Sequence, residues 1–290
     1  MTQHPPNSLK NLYILSRRLV EELLGGSYRS VFRGPGIEFS DVRLYTEEDD
    51  ARLIDWNVTA RVGNPYTRLY REERELVLFF ILDVSASVFY GREDWGKRRL
   101  QQTLVSLLSF CAIRNNDKVG AMLFSDRIEI WIPPRKGKKH VFRLIQDLLD
   151  FQPEGKGSDL ATALKTVGAN LKKRAIIFLI SDFKMGGYYK ELALVSKKHD
   201  VIGVRMYDPW DEEFPSLGYL PLKDPETGEF LPSFGISRTF KEEYNSYRLV
   251  FRRMWWRDCV KLGVDLLEIG TEEDPGIRLI EFFQRRRKYR

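Results

Sequence analysis

The sequence contains few of the residues from which covalent and metal frameworks are usually built. Its 290 residues include two cysteines, Cys111 and Cys259, which lie far apart and lack C-x-x-C spacing. This usage is typical of a reducing compartment, and it argues against a disulfide scaffold or a cysteine-based zinc site. The three histidines, His4, His140 and His199, are also scattered, and none adjoins a candidate serine nucleophile.

Signatures of two enzyme classes are missing as well. The sequence has no G-x-S-x-G elbow, which a Ser-His-Asp hydrolase would require. The glycine-rich "GPGIEF" at residues 34–39 lacks the lysine and the preceding strand of a phosphate-binding loop. We therefore expect neither kind of catalytic site.

Long hydrophobic runs are also absent. No segment approaches the roughly 18 consecutive apolar residues that a transmembrane helix needs. The first apolar segment, residues 12–24, is interrupted by four charged side chains and does not resemble a secretory signal. We expect a soluble chain without a transmembrane segment, located in the cytoplasm.

The sequence does have the composition of a large globular chain. Hydrophobic residues make up 43% and aromatic residues 13%, which argues against disorder. Lys and Arg outnumber Asp and Glu by 47 to 41, so the formal net charge is +6. Part of this excess lies in the C-terminal "RRRKYR". Such a tail binds nucleic acid or lipid in some proteins and is a solvated end in most.

Predicted strands and amphipathic helices alternate from residue 76 onward. The continuous apolar runs in "LVLFFILD" and "AIIFLI" suit strands that helices cover on both faces. The alternation predicts an α/β fold with a doubly wound, mostly parallel, Rossmann-like sheet in residues 76–290. Residues 1–75 are expected to hold a helix, at residues 8–24, and an extension packed on this core. Residues 208–239 are predicted to be an insertion with a small hairpin at residues 219–234.

Polar side chains lie at the ends of two predicted strands and in one loop before a helix. Ligands bind at the carboxyl ends of the strands in such sheets. The first buried strand ends in Asp83, followed by Ser85 and Ser87, and a later one ends in Ser181 and Asp182. The loop "GKGSD" adds Ser158 before a helix. Hard oxygen ligands of low total charge suit Mg²⁺, and a cation would relieve the repulsion between the two carboxylates. The sequence therefore predicts a divalent-cation site made of Asp83, Ser85, Ser87, Ser158 and Asp182.

These residues resemble the metal-ion-dependent adhesion site of von Willebrand factor A domains. Asp83, Ser85 and Ser87 match its D-x-S-x-S motif, Ser158 stands where the family usually has threonine, and Asp182 matches its later aspartate. Phe183 replaces a glycine that often follows. The resemblance implies a binding module whose cation, Mg²⁺ or else Mn²⁺ or Ca²⁺, accepts a carboxylate from a protein partner.

The upstream segment, residues 36–75, resembles a second signature. Its pattern G-x-E-F-x-x-x-R-x-Y, followed by D-D-x-R-x-I-D-W-x-x-x-A-R, is similar to the N-terminal part of the bacterial domain-of-unknown-function family fifty-eight. Members of that family resemble partners of MoxR-type AAA+ ATPases. The resemblance implies an adaptor or co-factor protein of such an ATPase and not an enzyme.

Several alternative interpretations remain open at this stage. The residues at the strand ends could simply be caps, since Ser and Asp are favoured there; these are Asp83, Ser85, Ser87 and Asp182. Ser158 or Asp159 could likewise cap the helix that begins near Leu160. Asp83 could be the nucleophile of a Mg²⁺-dependent phosphotransferase or hydrolase, although Ser85 stands where such enzymes need a second aspartate. The basic tail could bind nucleic acid. One further set of residues forms a dense polar signature: Asp49, Asp50, Arg52, Asp55, Trp56 and Arg61. We interpret this polar signature as a buried salt-bridge network in preference to a surface that binds a partner.

Overall fold

The computed structural model describes residues 38–46, 49–71, 76–89, 96–213, 222–223, 230–231 and 238–289. The described residues fall into two compact units, one within residues 38–71 and the other from Leu76 onward. The helix predicted at residues 8–24 lies outside the described residues. The division 1–75 and 76–290, and the packing of the first part on the second, stay predictions.

The small unit is an antiparallel strand pair with a helical connection. Strand β1 (Glu38–Leu44) pairs with β2 (Tyr66–Arg71), and a 3₁₀ helix (Ala51–Leu53) and helix α1 (Trp56–Val62) lie between them. Asp55 caps α1, because its carboxylate accepts the backbone N–H groups of Asn57 and Val58. Gly63, at φ 82°, ends the same helix in the left-handed conformation.

The polar signature is not the buried salt-bridge network predicted above. The side chains of Arg52 and Arg61 are exposed, and Trp56 is 68% exposed. Asp49 pairs with Arg43 at 2.6 Å and also accepts the backbone N–H of Thr46. The aspartates of the polar signature therefore serve local turns and helix starts, whose unpaired N–H groups favour nearby carboxylates.

The large unit is built on a six-stranded sheet in the order β10-β7-β6-β3-β4-β5. Its strands are parallel except β5, which runs antiparallel to β4 at one edge. The predicted α/β class with a mostly parallel sheet is confirmed. The strands of this unit are β3 (Val77–Asp83), β4 (Lys118–Phe124), β5 (Ile128–Arg135), β6 (Ile176–Ser181), β7 (Asp200–Tyr207), β8 (Leu222–Lys223), β9 (Phe230–Leu231) and β10 (Asp265–Gly270). The short strands β8 and β9 pair antiparallel, as expected for the predicted hairpin.

Helices cover the sheet on both faces. They are α2 (Ala86–Phe89), α3 (Lys97–Arg114), α4 (Lys138–Asp150), α5 (Leu160–Asn170), α6 (Tyr189–Lys198), α7 (Pro209–Glu212), α8 (Arg238–Lys261) and α9 (Pro275–Tyr289). Side chains of α5, α6 and α8, including Trp255, share one core cluster with Phe79 and Ile177. On the other face Phe178 contacts Phe283 of α9, and α3 packs between α4 and α9. None of the described helices is long and apolar enough to cross a membrane.

Two arginines of the C-terminal basic cluster make contacts with the sheet. Arg286 is 5% exposed and pairs with Asp200 at 2.5 Å and with Asp265 at 2.8 Å. Arg285 donates to the backbone carbonyl of Leu266 on the edge strand β10. These two arginines therefore hold α9 onto the sheet and are not a free basic tail.

Candidate functional site

The candidate site begins at the carboxyl end of β3, the strand between β4 and β6. Leu82 lies beside Ile180 of β6, so the next residues along each strand, Asp83 and Ser181, are neighbours at the edge of the sheet. Asp83 is completely buried. A buried carboxylate needs hydrogen-bond donors around it, and the adjoining turns supply them.

Three donors hold the Asp83 carboxylate. The backbone N–H of Ser85 donates to Oδ1 at 3.0 Å. The hydroxyl groups of Ser181 and Ser158 donate to Oδ2 at 2.6 and 3.2 Å. Ser85 and Ser87 place their hydroxyl oxygens 3.1 Å apart in the same turn. The structure thus brings the predicted residues Asp83, Ser85, Ser87 and Ser158 together.

The loop that carries Ser158 is fixed by backbone contacts on both sides. The N–H of Ala86 donates to the carbonyl of Lys156 at 2.9 Å, and the N–H of Asp159 donates to the carbonyl of Ser125 at 2.7 Å. The Asp159 carboxylate accepts the N–H of Thr162 and so caps α5. Because Asp159 performs the capping, the Ser158 hydroxyl is left to face Asp83.

Burial makes ionisation of Asp83 costly. Loss of solvent, together with the nearby negative charge of Asp182, raises the pKa of Asp83 from 3.8 to about 6, although the hydrogen bonds from Ser181 and Ser85 oppose this shift. A positive charge placed beside Asp83 would lower this cost.

Asp182, the fifth predicted ligand, is held by lysines. Lys97 Nζ donates to Asp182 Oδ2 at 2.8 Å and lies 3.0 Å from Asp211 Oδ2. Lys184 Nζ lies 2.5 Å from Asp211 Oδ1 and 3.7 Å from Asp182. Burial opposes ionisation of Asp182, but the ammonium groups of Lys97 and Lys184 outweigh it and keep the pKa of this carboxyl below its usual value.

Sequence reasoning missed Lys97, Lys184 and Asp211. A signal for Lys97 was present, since it lies three residues before Leu100 and seven before Leu104, on the apolar stripe of α3. A lysine on such a stripe is almost never buried without a charged partner. Asp211 carries no comparable signal, because α7 brings it to the site from beyond β7.

Phe183 stands where the von Willebrand factor A pattern often has glycine, and its surroundings show how the fold accommodates it. Its backbone has φ 54°, in the left-handed region where glycine is favoured and phenylalanine is strained. Its buried ring lies 4.9 Å from that of Trp255 and 6.2 Å from that of Tyr188. This packing offsets the backbone strain, so the turn after β6 keeps the conformation that a glycine would adopt.

The donor set around Asp83 fits a hard divalent cation. The Asp83 carboxylate accepts the Ser158 hydroxyl, and the hydroxyl groups of Ser85 and Ser87 adjoin each other in the turn after Asp83. Oxygen donors of this kind suit Mg²⁺. Within the described ranges, no group of three or more His, Cys, Asp or Glu side chains could hold a metal ion. A cation here would therefore depend on the serine hydroxyls as much as on carboxylates.

Gly155 tests how far the site depends on the loop before α5. An added Cβ at Gly155 would lie 2.2 Å from Ser125 Oγ and 2.9 Å from Ser125 Cβ, whereas one at Gly157 meets only Asp126 Cβ, at 3.5 Å. We expect Gly155→Ala to lower the free energy of unfolding by about 1–3 kcal/mol through overpacking. Gly157→Ala is the matched control. Urea unfolding of both variants measures the difference, and equal stabilities would show that the loop adjusts freely.

The chain belongs to the family described as "Protein of unknown function DUF58", whose model matches residues 41–252. It is 27% identical over 285 residues to "Uncharacterized protein Rv1480" of Mycobacterium tuberculosis, which covers 97% of this chain and 89% of that protein. It is 26% identical over 161 residues to "Uncharacterized protein MAV169" of Mycobacterium avium, covering 54% of this chain and 94% of that one.

Among solved structures, the chain is similar to an aerotolerance-related membrane protein of Bacteroides fragilis, with a TM-score of 0.47 and 14% identity over 74% of this chain and all of that one. BatB of Bacteroides thetaiotaomicron gives a TM-score of 0.44 and 14% identity, covering 73% of this chain and 99% of BatB. A mussel byssus matrix protein with a zinc-occupied MIDAS motif gives a TM-score of 0.39 and 20% identity. That match covers 46% of this chain and 38% of the matrix protein. At these scores and identities, none of them assigns a function to this chain.

The expectation of a cytoplasmic location is wrong. The structures that resemble this chain include the aerotolerance-related membrane protein from Bacteroides fragilis and a membrane-spanning protein from Vibrio fischeri. The expectation rested on the lack of an apolar run in the sequence, and such a lack does not fix a compartment.

Proposed function

We propose that the protein is a metal-ion-dependent protein-interaction module. The observation that carries this proposal is the Asp83 carboxylate, which is buried at one edge of the sheet and accepts the hydroxyl groups of Ser158 and Ser181 and the N–H of Ser85. The hydroxyl groups of Ser85 and Ser87 adjoin each other in the turn that follows. Asp83, Ser85, Ser87 and Ser158 are the direct donors in this account. Asp182 lies beside them as the second carboxylate of the predicted set.

The residues at this edge of the sheet form a site of low charge. Asp83 supplies the one carboxylate that lacks an ammonium partner among its described contacts, and the serines supply neutral oxygens. When bound, a divalent cation, Mg²⁺ or else Mn²⁺ or Ca²⁺, would offer an open coordination position to a carboxylate oxygen of a partner protein. The backbone contacts of Ala86 and Asp159 hold the serine-bearing turns in place before any partner arrives.

The geometry favours binding over catalysis. Both oxygens of Asp83 accept hydrogen bonds and the residue is completely buried, so a nucleophilic attack by this carboxylate is poorly served. Ser85 occupies the position where an aspartate-based phosphotransferase needs its second carboxylate. The nucleic-acid alternative is weakened because Arg286 is buried in an ion pair with Asp200 and Arg285 donates to the carbonyl of Leu266.

The partner proposed is a MoxR-type AAA+ ATPase. The chain belongs to the family that the upstream signature resembles, and that resemblance implies a partner of this kind. The chemistry expected of the partner is a carboxylate, Asp or Glu, presented on its surface. In this account the protein acts as an adaptor or co-factor of the ATPase and not as an enzyme.

The test is a binding measurement with the purified ATPase in Mg²⁺ and in EDTA. We expect wild-type protein to bind in Mg²⁺ only, and Asp83→Asn to lose binding in both conditions. Asp159→Asn is the matched control, because asparagine also caps helices and Asp159 contacts Thr162 rather than the site. Binding that persists in EDTA or in Asp83→Asn would contradict the proposal.

A further inference from the structure

The buried charges at the edge of the sheet balance unevenly. Two carboxylates, Asp182 and Asp211, share two ammonium groups, Lys97 and Lys184, and this quartet is neutral as it stands. Asp83 receives hydrogen bonds from neutral groups only among its described contacts. The carboxylate beside the candidate site is therefore already compensated, while that of Asp83 is not.

Lys97 is fixed where it lies. Its side chain is 5% exposed, and its ammonium is within 3.0 Å of carboxylate oxygens of both Asp182 and Asp211. Lys184 differs, because its side chain is 35% exposed and its short contact is to Asp211. A buried ammonium interacts far more strongly with nearby charges than a solvated one.

We propose that Lys97 limits the cation affinity of the Asp83 site by acting as the built-in counter-ion of Asp182. This inference rests on the proposed function, because it concerns the same site. A cation at Asp83 meets the repulsion of the Lys97 charge, and it can draw on Asp182 only when that carboxylate leaves Lys97. Asp211 makes such an exchange feasible, because it keeps Lys97 paired after Asp182 turns away.

Two consequences separate this idea from a purely structural role for Lys97. Removing the ammonium frees Asp182 and should tighten cation binding. Removing Asp211 leaves Lys97 with Asp182 as its main partner and should weaken cation binding, although Asp211 contacts none of the proposed donors in the described hydrogen bonds. A merely structural lysine would produce no gain in affinity when it is lost.

The experiment is a calorimetric titration of the full chain with MnCl₂, supported by Mn²⁺-induced shifts of the melting temperature. Lys97→Met is expected to bind Mn²⁺ at least about tenfold more tightly than wild type, and Asp211→Asn several-fold more weakly. Lys184→Met is the matched control, with a change below about threefold because solvent screens its charge. The double variant Lys97→Met/Asp211→Asn removes one charge of each sign, so it guards against misfolding of the single variant and is also expected to bind more tightly than wild type.

The outcomes separate this inference from the proposed function. If Asp83→Asn abolishes binding while Lys97→Met and the double variant match wild type, the role of Lys97 is overturned and the metal site stands. If wild type binds no Mn²⁺ but the Lys97 variants do, through Asp83, the role of Lys97 stands and cation binding by the free wild-type chain is overturned. If none of the proteins binds Mn²⁺, both are overturned.

Discussion

Replacing Lys97 with methionine is expected to lower the free energy of unfolding at neutral pH by about 3–5 kcal/mol, the usual cost of removing one partner from a buried ion pair. Methionine preserves much of the side-chain volume, so the loss reports the charge. Asp182 would retain the more distant Lys184 at 3.7 Å and the N–H of Lys184. Asp211 would keep its 2.5 Å contact with Lys184.

Urea unfolding of wild type, Lys97→Met and Lys184→Met measures this effect. Lys184→Met is expected to lose less than about 1 kcal/mol, because its pair is partly exposed to solvent. The loss in Lys97→Met should shrink as the pH falls far enough to protonate Asp182, whose pKa lies below its usual value. Equal stabilities for the two lysine variants would show that Lys97 is not the main counter-ion of the buried carboxylates.

Replacing Asp83 with asparagine is expected to stabilise the metal-free protein at neutral pH. The folded protein holds the Asp83 proton more tightly than the unfolded chain does, since the pKa of Asp83 is raised from 3.8 to about 6. Stability contributed by this group is therefore present below pH 3.8 and is lost as the pH rises to about 6. Asparagine removes that loss, which for a shift of this size is about 3 kcal/mol.

Urea unfolding in EDTA across this pH range provides the measurement. The difference between Asp83→Asn and wild type should be near zero at the acid end, grow through the titration of Asp83 and level off above it. Taking the difference cancels the titration of His199, whose pKa burial lowers to about 4. An asparagine variant that is less stable than wild type at neutral pH would contradict a costly buried carboxylate, and with it the need for a cation.

The sheet and most of the residues of the candidate site at its edge could be predicted from the sequence. Continuous apolar runs indicate buried parallel strands, and the ends of such strands meet at one edge. This logic placed Asp83 and Ser181 at the same edge, and the structure joins them by a 2.6 Å hydrogen bond. Ser158 was included because its loop precedes a helix at the same edge, and the family resemblance agreed, but a loop before a helix gives no distance to Asp83 by itself.

The ion pairs that balance the buried charges at this edge of the sheet could not be predicted in the same way. Lys97 and Asp182 are 85 residues apart in the chain, and no periodic pattern links them. The exposed Arg52 and Arg61 show the converse failure, since dense charge in a sequence suggests pairing but does not reveal burial. Partners of buried charges depend on tertiary packing, which residue periodicity describes only for apolar faces.

The central question is whether the free protein binds a divalent cation through Asp83. Electron paramagnetic resonance of Mn²⁺, titrated with wild type and with Asp83→Asn, measures this without any partner. We expect wild type to remove one Mn²⁺ per chain from the free-ion signal and Asp83→Asn to remove none. Equal loss of free Mn²⁺ signal with both proteins would contradict binding through Asp83.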